Sequence, residues 1–314
     1  MRVLIAGAGA MGSMYGGFLA RGGHEVHFVD QWAEHVEALA DRGLTVGFED
    51  ESFEVRGTAS TTFDDAPVAD LVMIWCKSFS TAEVMARCAG AVGDHTIVCS
   101  LQNGLGNPER IAVHVDPDRI VHGVTAIGAR FVGPAHVEVT EGAWRGTSPT
   151  HVGGSTRAAM ESARLVADVL GDAGVLMEAT EDVDVHVWNK LAMAAGMSGV
   201  SALTRSRIDQ VVDSPDAIGV VDDLTREVAA VAQALGLPRD AAQACATNHA
   251  VYRTARGHSA SMWQDVQARR RTEIDALSGA VVEAGRRVGV ATPVNETVAR
   301  LVRTLESHFH EEES

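Results

Sequence analysis

A short apolar run, Arg2-Val-Leu-Ile-Ala6, passes directly into Gly7-Ala-Gly9-Ala-Met-Gly12, and a helix-like segment, 11–21, follows. Strand, G-x-G-x-x-G and helix in that order leave few folds open. The first glycine permits a tight turn, the second lets the backbone approach a pyrophosphate, and the third lets the helix pack close to the strand. At the helix start, around Ala10, Met11 and Gly12, free N–H groups and the positive end of the helix dipole face the phosphates. A second strand-like run, Glu25-Val-His-Phe-Val29, completes a βαβ unit. Asp30 follows it, 18 residues after Gly12. An acid there accepts hydrogen bonds from the adenosine ribose and repels a 2′-phosphate. Gln31 and Trp32 come next, with no Arg or Lys beside them, so NAD is expected over NADP, with NADP as the alternative. Asp30 also suits a cap of the next helix.

The alternation continues. Segment 32–41 is helical and stops at Gly43; Leu71-Val-Met-Ile-Trp75 and Thr96-Ile-Val-Cys-Ser100 are apolar strands. Such runs predict a parallel, doubly wound sheet covered on both faces. From about residue 185 long helical patterns replace strands: 184–205, 215–236, 239–256, 262–288 and 294–308, punctuated by Gly236, Pro238, Gly257, Gly289 and Pro293. The expected organisation is an α/β domain over 1–180 and an all-helical domain over 181–314.

Composition narrows the partners. With 26 Lys plus Arg against 42 Asp plus Glu, the net charge of −16 argues against nucleic acid and anionic membrane. No apolar run reaches the roughly 18 residues of a membrane span. The N-terminal apolar run is cut by its glycines and reads as structure, not as a signal peptide. Cys76, Cys88, Cys99 and Cys245 lie far apart, which suits a reducing cytoplasm and gives no zinc site. The 13 histidines contain no H-E-x-x-H, so no metal is expected; His308 and His310 read as part of a solvated acidic tail. There are only two lysines, Lys77 and Lys190, against 24 arginines.

Several segments together resemble the ketopantoate reductase family. They are the glycine loop with Ser13, Trp75-Cys-Lys77-Ser, Leu101-Gln-Asn103-Gly-Leu-Gly106, Trp188-Asn-Lys190-Leu, Ser261-Met-Trp-Gln-Asp265, Arg270-Arg-Thr-Glu273-Ile-Asp275 and Gly289-Val-Ala-Thr-Pro293. They span nearly the whole chain in the family's order. The resemblance implies a Rossmann-like α/β domain, an all-α C-terminal domain of the 6-phosphogluconate dehydrogenase type, and an active site in the cleft between them. It implies that Lys190 is the general acid in ketone reduction and the base in alcohol oxidation, a role that suits an ammonium placed where negative charge develops on oxygen. A solvated helix lysine is the alternative.

The resemblance further implies that Glu273 binds and orients substrate, that Asn103 meets both nicotinamide and substrate, and that Ser261 hydrogen-bonds a substrate carboxylate. Each has a plainer alternative: Glu273 as an i,i+4 partner of Arg269, Asn103 as an Asn-Gly turn residue, and Ser261 as the head of a capping box with Gln264. Lys77 is expected to contact cofactor or substrate. Twelve residues of unbroken helix would part Ser261 from Glu273 by about 18 Å, so both reach one small substrate only if the helix starts after Ser261 or breaks. Arg269-Arg-Arg271 reads as helix surface and interface ion pairing.

One departure stands out. Four and eight residues past the catalytic lysine, on one helix face, family members usually carry Asn; here those positions are Ala194 and Ser198. Ala194 offers no hydrogen bond, and Ala194-Ala-Gly196 is expected to clear volume beside Lys190. With Asp30, this points to a 2-hydroxy/2-oxo acid other than ketopantoate, oxidised or reduced with NAD. The alternatives are an authentic NADPH-dependent 2-dehydropantoate 2-reductase and, from another class, a non-catalytic dinucleotide sensor. Apolar helix faces are compatible with a homodimer.

Overall fold

The computed structural model describes residues 1–48, 51–140 and 149–309. His310 and the acidic end beyond it lie outside them. The described residues form two compact units: residues 1–102 with 107–183, and residues 103–106 with 184 onward.

In the first unit the strands are β1 (Arg2–Ala6), β2 (Glu25–Val29), β3 (Leu44–Phe48), β4 (Glu51–Val55), β5 (Thr58–Ser60), β6 (Ala69–Ile74), β7 (Val92–Ser100), β8 (Ile120–Val124), β9 (Ala129–Gly133), β10 (His136–Val139), β11 (Thr150–Gly153) and β12 (Met177–Ala179). Its helices are α1 (Ala10–Arg21), α2 (Ala33–Arg42), α3 (Thr81–Arg87), α4 (Asn107–Ala112) and α5 (Arg157–Asp172). The main sheet runs β12-β11-β8-β7-β6-β1-β2-β5. All its pairings are parallel except β8 with β11. One buried cluster, with Leu4, Val72, Ile74 and Val98, covers one face; another, with Val3, Ile5, Leu71 and Met73, covers the other. The expected doubly wound α/β architecture is therefore present.

A second sheet, β4-β3-β10-β9, is an element that the sequence reading missed. It lies against the far side of α1. Gly16 faces the main sheet, where an added Cβ would come within 2.3 Å of the Phe28 ring. Gly17 faces the second sheet, where an added Cβ would come within 2.6 Å of the Val46 side chain. Every residue from Gly12 to Leu19 is buried. A helix covered all round has no polar face to keep, which is why α1 is nearly devoid of charge.

The second unit is helical: α6 (Val183–Thr204, whose first residue counts with the first unit), α7 (Ile208–Val212), α8 (Pro215–Ala234), α9 (Ala241–Thr254), α10 (Ser261–Gln267), α11 (Ser278–Val288) and α12 (Pro293–Ser307). Four of the expected helices are present within a few residues. The single helix expected over 262–288 is not. It is broken into α10 and α11, because Arg269 takes a left-handed φ of 50° and its guanidinium donates to the carbonyls of His308 and Phe309. Arg270 pairs with the buried Asp265, and Arg271 with Asp275. The three arginines thus lie at and beyond the end of α10, not on a helix surface. Among the described residues no helix is long and apolar enough to cross a membrane.

Candidate active site

The glycine loop shows what each glycine is for. Gly7 has φ +101°, and a Cβ there would sit 2.8 Å from the Cys76 amide nitrogen. Gly12 is tighter still, its Cβ falling 2.1 Å from the Gly7 carbonyl oxygen. Gly9 differs. Its φ of −60° is open to any residue, and a Cβ would meet no protein atom within 4 Å. Nothing inside the protein requires glycine there, so the bare backbone fits a ligand lying against it. The Gly7 and Ala8 amides donate to Val29 O, fixing the loop to the end of β2. Ala10 and Met11 open α1, whose first turn carries no acidic residue to compete with phosphate. Asp30 follows β2 directly. Its carboxylate accepts from the Trp32 amide at 2.9 Å, an Asx turn rather than a helix cap, since Trp32 itself is the N-cap of α2. These residues fit a dinucleotide.

Lys77 is half-buried just beyond β6, where its carbonyl accepts from the Ser80 amide in a short 3-10 turn. The segment is held by Gln102, which the sequence reading passed over. Gln102 is buried, donates to Cys76 O at 2.6 Å and Thr81 Oγ1 at 3.0 Å, and accepts from Ser100 Oγ at 2.7 Å. An amide at the end of an apolar strand, one residue before Asn103, is the signal that would have found it.

In the second unit, Lys190 lies near the start of α6, one turn before Ala194 and two before Ser198. Ser198 is buried and Ala194 half-buried. Burial pushes the Lys190 amine down to about 8, against the opposing pull of Glu273. Glu273 heads a tight turn: the amides of Ala276 and Leu277 both donate to its carbonyl. The neighbouring Thr272 is buried, and its amide donates to the Glu306 carboxylate at 2.7 Å.

Asn103 stands in the loop that packs on this turn. Gly104 has φ +84°, its Cβ would fall 2.3 Å from the Ala276 carbonyl oxygen, and the Leu105 amide donates to that oxygen at 3.0 Å. The structure thereby brings the Asn103 loop onto the Glu273 turn, and Glu273 within electrostatic reach of Lys190. Arg269 and Glu273 do not share a helix, since α10 ends at Gln267 and α11 begins at Ser278, so the i,i+4 spacing on one helix face does not arise.

Two local expectations are corrected. Ser261 does not head a capping box: the N-cap is Ala260, Ser261 is the first helical residue and exposed, and Gln264 donates to Ser259 O. Nor does the Ala194-Ala-Gly196 run open space as a whole. Ala195 is buried in the core, and Gly196 is where Thr225, Val221 and Tyr252 press against α6, 3.0–3.4 Å from where a Cβ would lie. Only Ala194 remains on the Lys190 face. Tyr252, also missed from sequence, donates to Met193 O at 2.7 Å and ties α9 to this stretch.

Two family descriptions match the chain: "Ketopantoate reductase PanE/ApbA" over residues 3–151 and "Ketopantoate reductase PanE/ApbA C terminal" over 182–306. The chain belongs to the ketopantoate reductase family. The resemblance read from its motifs is borne out. A 2-dehydropantoate 2-reductase of Archaeoglobus fulgidus is 33% identical over 307 residues, covering 98% of each chain. Among solved structures, a D-mandelate dehydrogenase with NADH and anilino(oxo)acetate superposes with a TM-score of 0.90 at 26% identity, covering 98% of this chain and 99% of that one. A ketopantoate reductase of Ralstonia eutropha does so at 0.86 and 30%, with the same coverage. This member of the ketopantoate reductase family is an oxidoreductase with a Rossmann-like α/β unit and a helical unit. Among its described residues no group of three or more His, Cys, Asp or Glu side chains is arranged to hold a metal.

Proposed function

We propose that the chain transfers hydride between NAD(H) and a secondary alcohol or ketone, a 2-hydroxy/2-oxo acid other than ketopantoate. The observation that carries this reading is a lysine amine brought by burial to about 8 within reach of the Glu273 charge. The α/β domain serves as the dinucleotide domain and the helical one as the substrate domain. When bound, the nicotinamide supplies or accepts the hydride. In reduction the Lys190 ammonium gives its proton to the ketone oxygen as negative charge develops there, and recovers one from water; in oxidation the neutral amine takes the hydroxyl proton. Glu273 and Asn103 orient the substrate and Ser261 meets its carboxylate. Ala194, in place of an amide, leaves an apolar spot beside Lys190, with Ser198 one turn on as hydrogen-bonding partner. The similar D-mandelate dehydrogenase, seen with NADH and an oxo acid derivative, supports a 2-hydroxy acid of this kind.

Asp30 carries the cofactor preference. The wild-type enzyme is expected to show at least tenfold higher kcat/KM with NADH than with NADPH, and Asp30→Ala to narrow the gap mainly by raising the KM for NADH. Initial rates with both dinucleotides check this, and a clear preference for NADPH would overturn it. Authentic 2-dehydropantoate 2-reductase activity is the second reading, favoured by the 33% identity to the Archaeoglobus fulgidus enzyme. Ketopantoate assayed beside a panel of 2-oxo acids separates the two. A homodimer is also proposed, on an apolar groove of about 660 Å³ between α6, α8 and α12 that includes the exposed Val220 and Leu301. Light scattering is expected to give about twice the 33.2 kDa chain mass.

A further inference from the structure

His35, on α2, is fully buried and belongs to none of the groups assigned above. The Ala135 amide donates to its Nδ1 at 2.9 Å, so the ring proton is on Nε2. Nε2 lies 3.1 Å from Ser13 Oγ, and Ser13 Oγ donates to the Ala8 carbonyl at 2.8 Å. Only one arrangement of protons satisfies all three contacts: a neutral imidazole giving Nε2–H to Ser13, and Ser13 giving its hydroxyl proton to Ala8. Ser13 follows Gly12 and is itself fully buried, while Ala8 lies between Gly7 and Gly9. The relay therefore ends on the backbone of the glycine loop.

The same ring faces the turn after β2. Trp32 stacks on it at 5.3 Å with an interplanar angle of 13°, and Phe131 packs edge-on to both rings, 4.9 Å from His35 and 5.2 Å from Trp32. Trp32 is the residue whose amide holds the Asp30 carboxylate. One side chain thus reaches both ends of the expected dinucleotide seat. A carbonyl oxygen turned toward a pyrophosphate would repel it, whereas loop amides attract it.

We propose that His35 is a positioning residue for the dinucleotide, which through Ser13 keeps the Ala8 carbonyl turned inward, so that amides alone face the phosphates, and through Trp32 sets the Asp30 turn. This rests on the glycine loop being the dinucleotide site. Burial lowers the proton affinity of His35, with Asp30 opposing, and so favours the neutral ring that the relay needs. A protonated ring would set a second N–H against that of Ala135.

The test is equilibrium titration of the cofactor-free protein with NADH, read by calorimetry and by fluorescence of the bound reduced nicotinamide, together with steady-state kinetics. Ser13→Ala is expected to raise the Kd for NADH about 5- to 30-fold, as loss of one or two buried hydrogen bonds would. His35→Ala is expected to do at least as much. The double variant should lie within about threefold of the worse single one, because both cut the same relay. At saturating NADH, kcat stays within about twofold of wild type. His35→Gln, whose amide nitrogen reaches Ser13, recovers more affinity than His35→Asn, which serves only Ala135. Ser13→Ala and His35→Gln carry the test if His35→Ala does not fold. Wild-type binding with Kd unchanged in Ser13→Ala, additive losses, or a fall in kcat without loss of affinity would overturn the role of His35 alone. Failure of the wild-type chain to bind NADH or NADPH would overturn the dinucleotide reading, and this role with it.

Discussion

Replacing Lys190 with alanine is expected to lower kcat by about 10²- to 10⁴-fold, the range of positioned general acid–base catalysis, and to leave the Kd for NADH within about twofold. In this reading the Lys190 amine moves the proton while the glycine-loop amides hold the phosphates, so turnover and dinucleotide affinity are expected to separate. A non-catalytic sensor would have no turnover to lose. The wild-type pH profile carries a sign that further marks the residue. With the amine at about 8, reduction needs the ammonium and falls as pH rises through about 8, while oxidation needs the neutral amine and rises through the same point. Stability follows from the same depression. The unfolded chain binds the proton up to the ordinary lysine value of 10.5 and the folded chain only to about 8, so folding stability rises with pH across that window and the charged amine is a burden below it. Lys190→Met is accordingly expected to raise Tm at pH 7 while abolishing turnover, a trade common at active sites. Rates with a single 2-oxo acid and its alcohol from pH 6 to 10, beside thermal unfolding, check all of this; a profile flat across pH 8 in both directions would remove Lys190 from the chemistry.

Gly12→Ala and Gly9→Ala are expected to fail in different ways. At Gly12 the new methyl would lie 2.1 Å from a backbone oxygen, with the Ile5 side chain at 3.0 Å on another side. Backbone cannot step aside as a side-chain tip can, so the loop and α1 must part. Tm is expected to drop by several degrees, for a cost of at least 1–3 kcal/mol, and NADH affinity to fall by more than 100-fold. At Gly9 the methyl meets no protein atom. Tm should hold within a degree or two, while affinity drops at least tenfold, because the space is the ligand's. Thermal unfolding of the cofactor-free variants and NADH titration decide the matter. A Gly9→Ala variant that binds NADH normally would show that the pyrophosphate does not lie against that backbone.

The legible parts of the fold were those in which local pattern and long-range partner agree. Arg2–Ala6, the glycine loop, α1 and Glu25–Val29 follow one another directly in the sequence, each with its own local pattern, and the two strands pair with each other, so spacing alone gave the unit away. The second sheet was not legible, because β3 pairs with β10 some 90 residues further on, and strands of four or five residues carry too little pattern to announce such a partner. The break after α10 was hidden for a related reason. No glycine or proline occurs between Ser261 and Ser278; the chain turns because Arg269 and Thr272 are held by groups at the far end of α12. Within the candidate site, Lys190 stood out by the scarcity of lysine. Its lowered proton affinity did not, since that depends on burial. His35 and Gln102 read as ordinary helix and strand-end residues until their hydrogen bonds were seen.

The double burial of α1 bears on how far this protein can be cut into parts. A mononucleotide-binding half is often treated as a module that can be excised and grafted. Here a fragment ending before residue 129 would lack β9 and β10, half of the sheet that roofs the outer side of α1. It would also lack Ala135, the amide that fixes the tautomer of His35. The helix that cradles phosphate in other such folds can rely on its own first βαβ unit. In this chain that helix is completed by backbone made more than a hundred residues later, so its dinucleotide seat is expected to be transplanted whole or not at all.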